Sequence, residues 1–392
     1  MFVHPSEANM KILRTIESFY PYVTGPGNQA FMISKELENK GISSPVFTTD
    51  KHATDSPESE LIDGVNIKRF KVKAKFMKFF YTPDMKESII DEKPEIIHAH
   101  NYRSYQTNLS YNISRKLGIP FVINTHGSLL GYETITRGVN KLPYKAFDIL
   151  KKKTVLDASA VIVSSRQEKE EALEFGVDEE KIYVIPMGID VDHYDSIRRK
   201  RKDDKVRLLF VGRICRDRNI KPILKALKRA HNENIELRVV GGEVKRSDTE
   251  KDGYLDELKS YAEKHNLNVT FPGPIYGKDL IREYKDADIF IYTSLWENFG
   301  QAMLEAAASG LPIIATPVGI AEDIIKHGET GYIIDFEELD YFQSLKERIN
   351  SLLDPKKRKA FGSKMKKIIR QDYQWEDITM EYEKMYLKVS GK

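Results

Sequence analysis

A chain of 392 residues, 41% hydrophobic and 31% charged, is too long for one ordinary α/β domain and carries enough apolar material for two cores. A formal net charge of +3 excludes a global polyanion-binding surface, so no nucleic-acid partner is expected. The single cysteine, Cys215, excludes an intrachain disulfide and a cysteine-based zinc site, which suits a reducing, cytoplasmic compartment.

In chain order, residues 1–9 contain no apolar run and read as a leader ahead of Met10, not as a signal peptide. No stretch approaches the roughly 18 apolar residues of a membrane span. Residues 11–16 read as a first strand. A turn-rich string, Pro21-Tyr-Val-Thr-Gly25-Pro-Gly27, follows, and then a helix over 31–39 that ends at Gly41. Short apolar runs at 45–48, 96–99, 121–124 and 160–163 read as further buried strands, each separated by enough chain for a crossover. Residues 68–81 interleave six cations with Phe70, Phe76, Phe79 and Phe80. Such a stretch can seat on an anionic membrane surface, but a strand followed by a helix, with aromatics inward and lysines in water, is the preferred reading. A charge run over 198–205 reads as a solvated linker. A second series of strands follows at 207–211, 236–240, 269–271, 289–292, 312–315 and 331–334. The expected architecture is therefore α/β, with a Rossmann-like domain over 10–190, a linker over 191–205 and a second such domain over 206–370. A helix over 371–392 is a candidate to cross back to the first domain. Two doubly wound halves would face a central cleft at the C-terminal ends of their strands, where such sheets bind ligands.

The densest chemistry lies between 289 and 335. A strand leads into Thr293-Ser-Leu-Trp-Glu297-Asn-Phe-Gly300, then a helix from Gln301, then Gly310-Leu-Pro312 and another strand. Phe299 and Gly300 sit where that helix begins, and free backbone N–H groups with the helix dipole suit a phosphate there. Glu297 precedes the helix and Glu305 lies about one turn inside it, so the two carboxylates need not share a ligand. The ordered string of Glu297, Glu305, Gly310-Leu-Pro312, Val318-Gly-Ile-Ala-Glu322 and His327-Gly-Glu-Thr-Gly331 resembles the retaining glycosyltransferases of the GT-B, family 4-like group (glycosyl transferases group 1). The resemblance extends from about Lys11 to Asp335.

That resemblance implies a nucleotide-diphosphate sugar donor bound mainly by the second domain and an acceptor, glycan, lipid-linked or small molecule, bound mainly by the first. Arg213 and Arg218, after Leu209-Phe-Val-Gly212, match the family's diphosphate-binding cations, although Arg218-Asn219 stands where Lys-Gly is common. Phe299 and Gly300 would receive the diphosphate, Glu297 the transferred sugar, Glu305 the ribose, and the backbone of Pro274 and Ile275 the base. In the first domain Gly25 and Gly27 resemble the glycine loop that approaches the donor; Pro26 interrupts the usual Gly-Gly, so either glycine could make the contact. His126, in Val122-Ile-Asn-Thr-His126-Gly127, resembles the strand-end histidine of the reaction centre, while His98 reads as buried and His100 as structural or acceptor-side. Asp190-Val-Asp192 and Asp286-Ala-Asp288 imitate a metal motif but read as structural, so no metal and no cofactor are expected. Retention at the anomeric carbon is likewise implied by the family. A dinucleotide oxidoreductase would need a third glycine after Gly25-Pro-Gly27; a phosphorylase would need a cofactor lysine that has no evident place. A non-catalytic nucleotide-sugar-binding subunit is the remaining rival. The expected location is cytoplasmic, with peripheral association on the inner membrane face left open by residues 68–81.

Overall fold

The computed structural model describes residues 10–22, 24–76, 79–131, 141–243, 253–336 and 340–392; the leader, 1–9, lies outside them. The chain forms two compact units, one running up to Gly188 and joined by Trp375–Lys392, the other Ile189–Gln374.

The first unit is built on β1 (Ile12–Thr15), β2 (Val46–Thr49), β3 (Ser59–Ile62), β4 (Val65–Phe70), β5 (Ala74–Phe76), β6 (Phe79–Tyr81), β7 (Ile96–His100), β8 (Phe121–Asn124), β9 (Ala160–Val163) and β10 (Ile182–Val184). Eight of these form one sheet in the order β10-β9-β8-β7-β1-β2-β4-β3, parallel except for β3 against β4. Alternate residues of each strand point to opposite faces. Leu13, Ile97, Ile123 and Val161 therefore enter one core, while Ile12, Ile96, Val122 and Ala160 enter another. That second core is completed by Ile378, Tyr382, Met385 and Tyr386 of the Trp375–Ser390 helix. Burying such side chains contributes about 1.5–3 kcal/mol each, which is why this last helix belongs to the first unit.

Three local readings of the sequence are corrected here. The first helix is Gly25–Asn39, not 31–39: the Thr24 side chain caps it by accepting from the Gly27 amide, and Pro26 occupies the first turn, where no donor is missed. Gly25 and Gly27 thus form a helix N-terminus, not a separate turn. β5 and β6 pair antiparallel in place of the expected helix. β3 and β4 went unread although Asp63 (φ 45°) and Gly64 (φ 86°) join them in the Asp-Gly turn that favours hairpins.

The second unit contains β11 (Val206–Val211), β12 (Ile235–Val240), β13 (Val269–Gly273), β14 (Ile289–Tyr292), β15 (Ile313–Ala315) and β16 (Gly331–Ile333). They form one wholly parallel sheet in the order β13-β12-β11-β14-β15-β16. Chain order reverses at β11/β14, as it does at β1/β7 in the first unit, and ligands of such sheets bind beyond the strand C-termini at that reversal. Backbone packs against backbone where side chains are missing: a Cβ on Gly362 would lie 1.9 Å from the Gly310 carbonyl oxygen, so the Pro355–Asp372 helix closes directly over the end of Gln301–Ala308. The stretch read as a solvated linker is ordered within this unit. Asp190 caps a short Val191–Asp195 helix, and the Arg201 side chain, 6% exposed, pairs with Glu236 (2.8 Å) and Asp288 (2.6 Å). Charge runs solvate only when no opposite charge is folded onto them, and here the starts of β12 and β14 supply two carboxylates.

Candidate active site

In the second unit, the chain leaves β11 through Gly212, whose carbonyl oxygen would lie 1.8 Å from a Cβ on Gly241. Only glycine at 241 lets the ends of β11 and β12 approach, and β14 flanks β11 on its other side. Arg213 is exposed and makes no ion pair among the described residues. Arg218 turns inward and is 8% exposed. Its Nη1 donates to Ser294 Oγ (2.9 Å) and to the Trp296 carbonyl (3.0 Å), and it pairs with Glu297 at 2.6 Å. Tyr292, at the end of β14, donates its hydroxyl to Glu297 Oε2 (2.6 Å). Burial holds the Tyr292 hydroxyl well above its ordinary pKa, with the Glu297 charge adding to this, so it remains a donor. Glu297 is therefore aimed by one cation and one hydroxyl.

The 293–300 loop is tied down from several sides. The Leu295 amide donates to the Asp217 carbonyl (2.8 Å), Thr316 Oγ1 to the Ser294 carbonyl (2.6 Å), and the Ile320 amide to the Phe299 carbonyl (2.8 Å). Phe299 is buried, and Gly300, at φ 89°, opens the Gln301–Ala308 helix without a side-chain cap. Around this fixed loop, Arg218 Nε, Trp296 Nε1, Asn298 Oδ1 and Gln301 Oε1 are buried without a protein hydrogen bond. Native interiors seldom leave such groups orphaned, and a cluster of them marks a place shaped for a polar ligand.

Glu305 lies inside the helix and has different neighbours. Tyr284 donates to Glu305 Oε2 (2.8 Å), and burial pushes the Glu305 carboxyl up to about 7 against the opposing hydrogen bonds from Tyr284 and Gln301. Pro274 and Ile275 follow β13, and Pro274 approaches Gly242, 4.0 Å from where a Cβ would stand. The Asp-x-Asp strings are occupied structurally. Asp190 caps a helix, Asp192 pairs with Arg370 (2.8 Å), Asp286 accepts from the Lys200 and Arg201 amides, and Asp288 pairs with Arg199 and Arg201.

In the first unit, three histidines stack in series, His98 and His100 on β7 and His126 just beyond β8. His98 and His100 rings lie 4.5 Å apart, and His100 and His126 rings 5.3 Å apart. Behind them sits Arg14, fully buried, with no carboxylate partner among the described residues. Arg14 Nη1 is 2.7 Å from His98 Nδ1 and 3.3 Å from His100 Nε2, and Nη2 donates to Tyr386 (2.9 Å). Arginine keeps its protons, so both imidazole nitrogens must accept. His100 then carries its hydrogen on Nδ1 and donates it to His126 Nε2, 3.0 Å away. His126, accepting at Nε2, carries its own hydrogen on Nδ1. Burial pushes His126 down to about 3, so the ring is neutral. The turn that carries it is strained, with His126 at φ 48° and Gly127 at φ 67°. Glu168, 2% exposed, holds that turn by accepting from Thr125 Oγ1, the Gly127 amide and both the amide and hydroxyl of Ser164.

Comparisons with known proteins place the chain in a family. The family described as glycosyl transferases group 1 matches residues 194–368, and glycosyltransferase family 4 matches residues 23–193. This chain belongs to the group 1, family 4-like glycosyltransferases. An uncharacterised glycosyltransferase of Methanocaldococcus jannaschii is 28% identical over 353 residues, 85% of this chain and 87% of that one. A UDP-Gal:α-D-GlcNAc-diphosphoundecaprenol α-1,3-galactosyltransferase of Escherichia coli is 28% identical over 268 residues, 64% of this chain and 65% of that one. Among solved structures, Anabaena HepE in complex with UDP and glucose superposes with a TM-score of 0.73 at 19% identity, covering 97% of this chain and 100% of that one. The fold is GT-B, two Rossmann-like domains.

Within this glycosyltransferase the structure brings Arg218 and Glu297 into one ion pair, which their 79-residue separation did not reveal. Glu297 and Glu305 share no partner among the described residues. The orienting groups Tyr292, Tyr284, Gln301, Arg14 and Glu168 were not singled out from sequence. Tyr292 ends a strand five residues before Glu297, which is the one local signal that could have marked it; Arg14 and Glu168 read as an ordinary strand residue and an ordinary helix residue.

Proposed function

We propose that this glycosyltransferase moves a hexosyl group from a nucleoside-diphosphate sugar to a glycan or lipid-linked acceptor, with retention at the anomeric carbon and no divalent metal. The observation that carries the reading is the Arg218–Glu297–Tyr292 arrangement, surrounded by orphaned polar atoms, at the start of the Gln301–Ala308 helix. Arg213, the Phe299–Gly300 amides and Arg218 Nε would hold the diphosphate, taking the negative charge that builds as the sugar departs. Glu297 would accept from hydroxyls of the transferred sugar and stabilise positive charge on its ring. Glu305 would grip the ribose, and Pro274 and Ile275 the base. In the first unit, His126 would donate through Nδ1–H to a sugar hydroxyl, and the Gly25–Asn39 helix would present its N-terminal amides. The acceptor oxygen bonds to the anomeric carbon on the face the phosphate oxygen leaves, and its proton passes to that leaving oxygen. With this, charge and atoms balance without an enzyme nucleophile. The E. coli relative's lipid-diphosphate acceptor supports a lipid-linked acceptor here.

The test starts with a hydrolysis screen of UDP-, GDP- and ADP-sugars to find the donor. Glu297→Gln should then leave nucleoside-diphosphate affinity nearly intact by calorimetry and slow single-turnover transfer by about a hundredfold, the scale of one lost electrostatic contact. Wild-type activity should survive excess chelator, and NMR should show a product anomer matching the donor's. Normal turnover by Glu297→Gln would remove the assignment, and no turnover with any donor by wild type would favour a non-catalytic sugar-nucleotide-binding subunit.

A further inference from the structure

Arg14 lies on β1, on the face that it shares with Ile12 and that the last helix covers. Burying a guanidinium among dipoles, with no carboxylate beside it, costs free energy that an apolar side chain would not. The fold nevertheless fixes it from both ends. Nε donates to Ser44 Oγ (3.1 Å), itself 3.1 Å from Ser34 Oγ. Nη2 donates to the Tyr386 hydroxyl, which in turn donates to His98 Nδ1 (2.7 Å). Nη1 is thereby aimed at His98 and His100.

The histidines beyond it have two arrangements open to them. His100 Nδ1 and His126 Nε2 are 3.0 Å apart, with one hydrogen between them. Burial keeps both rings neutral, and for His100 the neighbouring rings and Arg14 add to it. Each ring then carries a single hydrogen, and an isolated pair could place the shared one on either side. If His100 owns it, His126 carries its hydrogen on Nδ1 and can only donate there. If His126 owns it, Nδ1 is left with a lone pair and can only accept. This second arrangement puts a hydrogen on His100 Nε2, 3.3 Å from Arg14 Nη1, donor against donor. His98 obeys the same constraint at a visible cost. Its Nδ1 faces two donors, so its hydrogen stands on Nε2, which is buried without a partner. Such orphans are rare in native interiors, and here Arg14 is the reason for one.

We propose that Arg14 is a positioning residue for sugar transfer: by denying His100 Nε2 a hydrogen, it fixes His126 as a donor at Nδ1 and excludes it as a base. The buried charge serves direction, not stability. A donor-only Nδ1–H suits the lone pairs of a sugar hydroxyl or phosphate oxygen, and leaves the acceptor's proton to the departing phosphate. The role depends on the proposed placement of His126 beside the transferred sugar, whereas the tautomers exist in the resting protein and are read without substrate.

Nitrogen-15 NMR of the full chain, labelled at its nine histidines, is the test. His98→Gln, His100→Gln and His126→Gln supply the assignments. Wild type near pH 7.5 should carry hydrogen on Nε2 of His98 and on Nδ1 of His100 and His126. Arg14→Met should lose this arrangement, with the two His126 ring nitrogens averaged or inverted. Its kcat for transfer should fall by about tenfold, the scale of one lost hydrogen-bond donor, while nucleoside-diphosphate affinity stays as in wild type. Arg14→Met/His98→Leu/Tyr386→Phe removes the guanidinium together with two of its partners, leaves none of the three orphaned and should behave alike even where the single variant folds poorly. Ile378→Ala, in the same core, is the structural control: it should unfold at lower temperature with wild-type tautomers and kcat. A wild-type spectrum with the His126 hydrogen on Nε2, or variants that keep all assigned tautomers, would overturn the proposal however slow they are. Altered tautomers with wild-type kcat would also overturn it, since direction at His126 would then not matter. Normal turnover by His126→Gln with the expected wild-type spectrum would instead remove the placement of His126 on which the role depends, and the role with it.

Discussion

Single residues in this enzyme act through the protonation their surroundings impose. Glu305 illustrates this in the second unit: burial raises it to about 7, so it is neutral below that value and ionised above it. In the proposed ribose contact the hydroxyls donate, and only the ionised carboxylate accepts with both oxygens. Nucleoside-diphosphate affinity should therefore rise as pH passes from about 6 to 8, and calorimetry on Glu305→Gln should show that dependence removed. A Gln variant that keeps the full slope would place the titrating group elsewhere. In the first unit the relation is reversed. Burial first, and then the charges of Arg14 and His126, hold His98 well below the ordinary histidine value. Above about pH 6.5 both folded and unfolded chains keep it neutral and nothing changes. As pH falls below that, the unfolded chain takes up a proton that the folded chain refuses, so stability drops by up to ~1.4 kcal/mol per pH unit for each such imidazole. Urea unfolding of the first unit, measured at several pH values, should show a slope shallower by one proton in His98→Gln, whatever that substitution does to stability at neutral pH.

At the scale of elements, the 293–300 loop depends on backbone approaches that only glycine allows. Gly319 lies at φ 58°, and a Cβ there would stand 2.5 Å from the Phe299 carbonyl oxygen and 3.3 Å from Glu297 Cγ. Gly319→Ala must therefore push the 293–300 loop away and strain its own backbone. It should cost roughly 1–3 kcal/mol of stability and reduce transfer more than nucleoside-diphosphate binding, because Glu297 moves with the loop. Thermal unfolding beside single-turnover assays would check both, and unchanged transfer would show that the loop tolerates displacement. The elements themselves were legible to different degrees. Parallel strands such as β8, β9 and β14 announce themselves as short apolar runs, because burial on both faces demands it. The β5–β6 hairpin did not, since Phe79 and Lys75 obey no period of two or of 3.6 strongly enough to separate strand from helix. Its identity depends on Phe79 meeting Phe147, a residue far along the chain.

The whole molecule rests on two cores, and the first is closed by the last segment of the chain. Ile378, Tyr382, Met385 and Tyr386 are buried on the sheet, and the Tyr386 hydroxyl accepts from Arg14. Removing residues 375–392 would uncover those contacts and cost about 6 kcal/mol or more, enough to unfold a unit of ordinary stability. Limited proteolysis and circular dichroism of the truncated chain should show the first unit lost while 189–374 keeps its protection; a fully protected first unit would contradict this. The sequence by itself determined that two Rossmann-like units exist, where their parallel strands run, and which loop and helix bear Glu297 and Glu305, because apolar runs, helix starts and glycine positions are local requirements. Only tertiary structure decided that Arg218 aims Glu297, that Arg14 sets the tautomer of His126, that the 198–205 charges are folded against Glu236 and Asp288, and that Ile149 and Leu150 face outward. The first three are pairings across tens of residues, the last is the side a helix turns to solvent, and burial, which decides charge state and partner alike, has no value until the chain has closed.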